Sequence, residues 1–383
     1  MKTNRSLLMQ LTLNGALAVL AHAAFAQTWQ TVDDAYVGDG AYALCMAKDP
    51  FGNIYAGGSI GDTNSNYLNL AAVRKSSDGG VTWTTVDMLG LAPADPLDVY
   101  ETRGIAVDPA GAIYAVGGAY GPGNWFVRRS LDSGATWQTV DLPGGSAEAV
   151  ATDASGNVFA AGIRSGGGWL VRKSADGGNS WSTVDTFGSS RANGIFCHPN
   201  AGVFVVGYAN VTSGTGKKTT TQAYWYVRRS LDQGTTWATV DAYLGGTATC
   251  VGADPSGSLY AAGNNQGHWI VRKSSNGGSS WATVDDFFPC VSRTQCSSAQ
   301  AAAFAADTHG NLFVAGSMRN TSTGKYTWVV RENLGGNGAW QTVDSYSLGA
   351  GYSSDASGAV ADDFGNVFVA GTDGIGAWLV RRN

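Results

Sequence analysis

Three glutamates occur in the chain, Glu101, Glu148 and Glu332. Two of them fall at related places in successive stretches of similar sequence. Glu101 stands seven residues before the turn Asp108-Pro109-Ala110-Gly111, and Glu148 stands five residues before Asp153-Ala154-Ser155-Gly156. Counting back in the same way from each such turn finds Arg103, Arg191, Tyr42 and Asp355. Elsewhere these two places hold Ser146, Thr247, Gln300, Leu44, Asn193, Thr249, Ala302 and Ser357, while the place between them is Ala in six stretches and Thr102 in the other. A small residue flanked by variable polar ones suits a close-packed strand whose alternate side chains face an opening. Two carboxylates could flank a glycosidic bond as acid and nucleophile or base. Carboxylates interleaved with arginines could instead hold a ligand by charge-assisted hydrogen bonds, or pair with each other along a wet channel. The candidate binding residues are therefore Tyr42, Glu101, Arg103, Glu148, Arg191 and Asp355, with Glu101 and Glu148 as the candidate catalytic pair. Polar groups exposed at a strand mouth are expected to add little to stability.

Other chemistries lack their residues. There is no Gly-x-Ser-x-Gly, no Cys–His pairing and no phosphate loop. No Cys-x-x-Cys or His-x-x-x-His pair supports zinc, so neither metal nor cofactor is expected. The formal charge of −5, with 14% charged residues and no long basic run, argues against nucleic acid as a partner.

Residues 1–26 read as a secretory signal peptide. Lys2 and Arg5 precede a mostly apolar Leu7 to Leu20, and Ala24-Phe25-Ala26 fits an A-x-A cleavage site. The expected mature domain is 27–383, secreted or periplasmic, with no later stretch able to span a bilayer. In an oxidising compartment Cys290 and Cys296, six residues apart, can close a small disulfide. Cys45 and Cys250 match each other in two repeats and read as small buried fillers.

The elements that must position these residues are repeated. A tryptophan before Thr-Val-Asp recurs at 29, 83, 137, 181, 237, 281 and 340, at intervals of 54, 54, 44, 56, 44 and 59 residues. Between successive tryptophans lie an Asp-x-x-Gly turn, a Tyr/Phe-x-x-Gly segment and a Trp-x-Val-Arg strand, all in short runs of β-branched and aromatic residues. The chain ends on Trp378-Leu379-Val380-Arg381-Arg382-Asn383, the first half of the unit's last hairpin, and Trp29-Gln30-Thr31-Val32-Asp33 is the second half. Seven units with complementary ends predict an all-β, seven-bladed β-propeller of four-stranded antiparallel blades, its last blade closed by pairing of the two termini. Tryptophans that recur in every blade read as core. The recurring Arg of Trp-x-Val-Arg and Asp of Thr-Val-Asp read as local ion pairs.

The segments Ser76 to Trp83, Ser130 to Trp137, Ser174 to Trp181 and Ser230 to Trp237 match Ser-x-Asp-x-Gly-x-Thr/Ser-Trp, and Ser274 to Trp281 keeps it with Asn276 for Asp. This pattern resembles the Asp-box, or BNR repeat, of sialidases, xyloglucan-degrading enzymes, sortilin-type receptors and photosystem assembly propellers. The Asp153 to Gly162 and Asp362 to Gly371 segments also resemble the short repeat of secreted bacterial propellers. The resemblance implies the propeller fold and leaves activity open, because unrelated functions share it. It is compatible with a monomeric binding module for a glycan, peptide or protein, or with a sialidase- or xyloglucanase-like glycoside hydrolase. Sialidases carry an Arg-Ile-Pro segment that this sequence lacks. Both repeated turns are expected on one face of the disc. The variable connections 59–69, 88–98, 208–223, 287–299 and 317–327 are expected on the other face, where binding would occur.

Overall fold

The computed structural model describes residues 28–35, 40–61, 69–90, 99–119, 125–214, 219–292, 295–349 and 351–383. The expected signal segment, and residues 62–68, 91–98, 215–218 and 293–294 of the variable connections, lie outside the described residues.

Seven four-stranded antiparallel sheets follow one another as blades. Blade 3 shows the pattern, with strands Gly145–Thr152, Val158–Arg164, Trp169–Ser174 and Ser182–Phe187 in sequential order. Its first turn forms because Asp153 Oδ1 accepts the amides of Ser155 and Asn157, both at 2.9 Å, while Gly156 takes a φ of 79°. In the second turn the Ser174 hydroxyl donates to Asp176, the Asp176 carboxylate accepts the Ser180 amide, and the Trp181 indole N–H donates to Gly178 O at 3.2 Å. Blade 6 lacks this turn and substitutes a single 3-10 turn, Leu334–Gly336, bridged by Asn333 to Gly338.

Blade 7 takes its outer strand, Gln30–Ala35, from the beginning of the chain and its other three from the end. Gln30 pairs with Arg382 and Ala35 with Trp378, so the two ends close the ring as the complementary half-hairpins require.

The core lies between blades. Trp125, Trp169, Trp225, Trp269, Trp328 and Trp378 are fully buried, whereas the turn tryptophans are half-buried over their turns. Each buried tryptophan meets the blade that follows it. A Cβ added to Gly162 would lie 2.1 Å from Ser146 O and 2.9 Å from Trp125 Cζ3, and Gly207, Gly316 and Gly371 stand in the same way against Trp169, Trp269 and Trp328. The glycine of Tyr/Phe-x-x-Gly is thus a close-approach residue. Blade 1 has Ala71 in place of the tryptophan, and Phe126 with Tyr100 fills the space.

Two β-bulges recur in all seven blades. One falls on the inner strand, between Ala147 and Ala149 in blade 3 and at the matching position in the others. The other falls in the outer strand at the valine of Thr-Val-Asp, so that Asp faces Val of the third strand while Thr faces Arg. An extra residue kinks a strand and re-aims its neighbours. Here it turns the aspartate sideways, and the expected local ion pairs prove to link adjacent blades. Asp33 of blade 7 meets Arg74 of blade 1, and the relation continues through Asp87–Arg128, Asp141–Arg172, Asp185–Arg228, Asp241–Arg272, Asp285–Arg331 and Asp344–Arg381. Each carboxylate is held in fork geometry, as in Arg228 Nε and Nη2 to the two oxygens of Asp185, both at 2.8 Å. Arg228 also lies over the Phe187 ring, 4.4 Å from its centroid.

Breaking one buried pair should leave a charge uncompensated. Asp185→Ala is expected to lower unfolding free energy by about 3–5 kcal/mol in a denaturant titration, several times the effect at an exposed pair. The Ser-x-Asp-x-Gly turns give a pH signature. The Thr136 hydroxyl and amide, with the Ser130 hydroxyl, hold the Asp132 carboxyl down at about 2, below its ordinary 3.8. A depressed carboxyl contributes stability above its unfolded value and loses it as pH falls from about 4 toward 2. Asn276 shows that Asn keeps the turn geometry without the charge, accepting the Ser280 amide at 3.0 Å. Asp132→Asn should therefore melt below the parent at pH 7, with the gap closing by about pH 2. A constant gap would mean that the charge plays no part.

Candidate functional site

The seven inner strands, Tyr42–Lys48, Tyr100–Val107, Gly145–Thr152, Ser190–His198, Thr247–Ala253, Ala299–Ala306 and Asp355–Ala361, line the centre of the ring. Side-chain burial alternates along their first residues. Ala43, Thr102, Ala147, Ala192, Ala248, Ala301 and Ala356 are buried, and the residues on either side of each are not. The residue after each small one is the bulged residue: Leu44, Arg103, Glu148, Asn193, Thr249, Ala302 and Ser357. Counting five back from the turns therefore found the residue released from ladder pairing, Arg103 and Glu148 among the candidates, whereas Tyr42, Glu101, Arg191 and Asp355, seven back, stay paired in the ladder.

Four of the six candidates join in one network across blades 2, 3 and 4. Arg103 donates through Nε to Glu101 Oε2 at 2.9 Å and through Nη1 to Glu148 Oε1 at 2.8 Å. Its Nη1 also reaches the Ser146 hydroxyl at 2.8 Å, and that hydroxyl donates to Glu148 Oε1 at 2.9 Å. Arg191 Nη2 approaches Glu148 Oε1 at 2.6 Å. Acid and base alternate as Glu101, Arg103, Glu148, Arg191. Burial works against the Arg103 charge, but Glu148 and Glu101 outweigh it and hold the guanidinium above its ordinary value. The Glu148 side chain is 11% exposed and that of Arg103 15%, whereas that of Arg191 is 37% exposed. Three members are therefore mostly enclosed. The exposure on which the expectation of little stability contribution rests is met within this network by Arg191 and not by Glu101, Arg103 or Glu148.

Tyr42 and Asp355 stand apart from this network, on blades 1 and 7. Tyr42 is 37% exposed. Burial raises the Asp355 carboxyl, with the Ser317 hydroxyl opposing. Between them and Arg191 the ring is neutral, and it does something sequence reasoning missed. Asn193 Nδ2 donates to Ala248 O and Thr249 Oγ1 to Ala301 O, both at 2.8 Å. Each is a bulged residue reaching the next blade, so part of the polar mouth ties inner strands together. The signal was present in the short polar types at those positions; the direction of reach was not.

Cys290 is disulfide-bonded, and Cys296 is its backbone partner across a small ladder in the blade 5 to blade 6 connection. Cys45, Cys197 and Cys250 are free thiols. Burial pushes the Cys250 thiol up to about 12, which keeps it in the thiol form at neutral pH.

No protein-family model matches the sequence. A search of curated proteins also finds no match. Solved structures share the architecture. YCF48 bound to D1 peptide superposes with a TM-score of 0.56 at 16% identity, over 92% of this chain and 96% of that one. A GH74 xyloglucanase from Xanthomonas campestris gives 0.57 at 19% identity over 92% and 53%, and Trypanosoma rangeli sialidase 0.51 at 13% over 90% and 55%. The chain thus spans nearly all of YCF48 and about half the length of the two enzymes. At these identities the likeness is one of fold. The protein is a seven-bladed β-propeller whose structural neighbours include binding and hydrolase propellers.

Removing the bridging guanidinium would leave two mostly enclosed carboxylates facing each other. Arg103→Ala should lower stability by about 2–4 kcal/mol in denaturant unfolding, while Arg191→Ala should change it by less than about 0.5 kcal/mol. Equal losses would show that the network is not ordered as described.

Proposed function

We propose that the protein is an exported binding module, cleaved after Ala26, whose channel mouth takes a peptide or protein segment through Arg191 with Tyr42 and Asp355. The observation that carries this reading is the position of Arg103. Its guanidinium lies between Glu101 and Glu148 and bonds to both. A glycosidase needs the space between its two carboxylates for the scissile bond, and an inverting one for a water as well. Here that space holds an arginine, so Glu101 secures Arg103 and Glu148 sets Arg191 in place, rather than the two cleaving a bond.

Arg191 has the geometry of a ligand contact. Glu148 anchors one Nη, and a third of the side chain remains open to the channel. The Arg191 Nε is enclosed, and a guanidinium so fixed presents its remaining Nη donors without further ordering cost, which suits a carboxylate or a backbone carbonyl. Tyr42 adds an amphipathic aromatic of the kind enriched in peptide contacts. YCF48 supplies a precedent of fold and occupancy, being described with a bound D1 peptide.

Screening the mature protein against peptide and glycan arrays, with a parallel glycoside hydrolysis screen, tests the proposal. A peptide ligand should lose about 1–3 kcal/mol of binding free energy on Arg191→Ala at unchanged melting temperature. Turnover of a glycoside that disappears in both Glu101→Gln and Glu148→Gln would overturn it in favour of hydrolysis.

A further inference from the structure

Blade 4 carries a ribbon that the other blades lack. Its second and third strands, Gly202–Ser213 and Thr220–Ser230, have 12 and 11 residues. The inner strand Ser190–His198 stops pairing where Ser190 faces Ala209, so the second strand runs four residues further with no strand on that side. Among the described residues, no other second strand outruns its inner strand by more than two.

Past Ala209 the two strands hold each other. Val211 pairs with Gln222 and Ser213 with Thr220, and the hydroxyls of Thr212 and Thr221 lie 2.8 Å apart. Asn210, Val211, Thr212 and Ser213 are all exposed. Alternate residues of an antiparallel ladder turn their N–H and C=O to opposite sides, so half of these four address the vacant edge. Exposed edges are usually blunted by Lys, Pro or a bulge. Here residues 209–213 and 220–223 carry neither charge nor proline, and their pairing is regular. The ribbon's outer edge differs, because the Gly245 amide donates to Ala223 O at 2.9 Å and closes it at its root.

We propose that the edge Asn210–Ser213 adds a β-strand from the C-terminal segment of a peptide or protein, whose free carboxylate is taken by Arg191. This deepens the binding reading above and rests on it. The vacancy continues the line of the inner strand beyond Ser190, and the next residue is Arg191. The chain itself does not fill that line. It enters Ser190 from the neighbouring blade, where Phe187 still pairs with Trp169.

Strand polarity sets the direction. The second strand runs outward from Gly202 to Ser213, so an antiparallel segment runs inward and brings its C-terminal end to Ser190. There Arg191, tethered to Glu148 at 2.6 Å and 37% exposed, meets the arriving carboxylate with a charged fork. A parallel segment would bring its ammonium to the same guanidinium, against the charge. Backbone bonds along the edge supply affinity that depends little on side chains.

The test presents the mature protein with a library of short peptides displayed with free C-termini, and with the same sequences amidated. Binders should come from the first set and weaken about tenfold or more on amidation. Arg191→Ala should abolish that difference at unchanged melting temperature. N-methylating alternate backbone amides of a binder should destroy binding in one phase and spare it in the other, as a strand ladder requires. Residues 210–223 are also replaced by Gln-Gly, the loop that joins Asn265 to His268 in blade 5. That change should weaken acid and amide forms alike, by about tenfold or more.

A library without binders, binders indifferent to amidation, or tolerance of N-methylation in both phases would overturn the strand addition. Binders that need Arg191 but not the ribbon would do the same and leave the binding reading standing. Self-association abolished by the shortened ribbon would give the edge to a second copy instead. Glycoside turnover lost in both Glu101→Gln and Glu148→Gln is the separate result that removes the binding reading itself.

Discussion

The structure depends on the bidentate contact between the aspartate of one blade and the arginine of the next. A propeller closes only if each sheet meets its neighbour at one angle, and apolar packing alone tolerates sliding. Seven Asp–Arg forks fix both distance and orientation at the outer half of every interface. Their net contribution to stability need not be large, because burial works against the charges. Asp33 and Asp285 show this: burial raises both carboxyls in spite of Arg74 and Arg331. What the forks supply is specificity of assembly, and the ring of buried tryptophans against close-approach glycines supplies the apolar area.

One backbone device serves both ends of each blade. At the outer strand the bulge turns aspartate toward the neighbouring blade, and at the inner strand it frees one residue from ladder pairing to face the channel. The outer position is chemically the same in all seven blades, because every interface needs it. The inner position differs from blade to blade, since only the small residue before it is bound by packing. Asn193 and Thr249 use this freedom for ring closure, and Arg103 and Glu148 for a charge network. Chemistry particular to this protein is therefore found where the repeat places the fewest demands.

Departures from the repeat are compensated locally. Ala71 removes a tryptophan, and Phe126 with Tyr100 restores the volume. The blade 6 turn loses its aspartate, and Asn333 bridges the loop instead. Such compensation is hard to read from a linear sequence, because the replacing residue belongs to a different blade or a different role. The Asp-x-x-Gly turn, by contrast, is satisfied within five residues, and its pattern identified it directly.

The sequence by itself determined the strands, the turns, the number of blades and the closure by complementary ends. These follow from local hydrogen bonding and from a period that repeats along the chain. It also located the residues that face the channel, because a buried alanine between two variable polar positions records the packing of the inner strand. Tertiary structure alone decided which blade each arginine serves, since Arg74 and Asp33 are equally consistent with pairing inside a blade. It alone placed Arg103 between Glu101 and Glu148 and Arg191 against Glu148. The bend that a bulge imposes, and the reach of a side chain across an interface, depend on the angle between sheets. That angle is set by all seven interfaces closing together, and no single repeat encodes it.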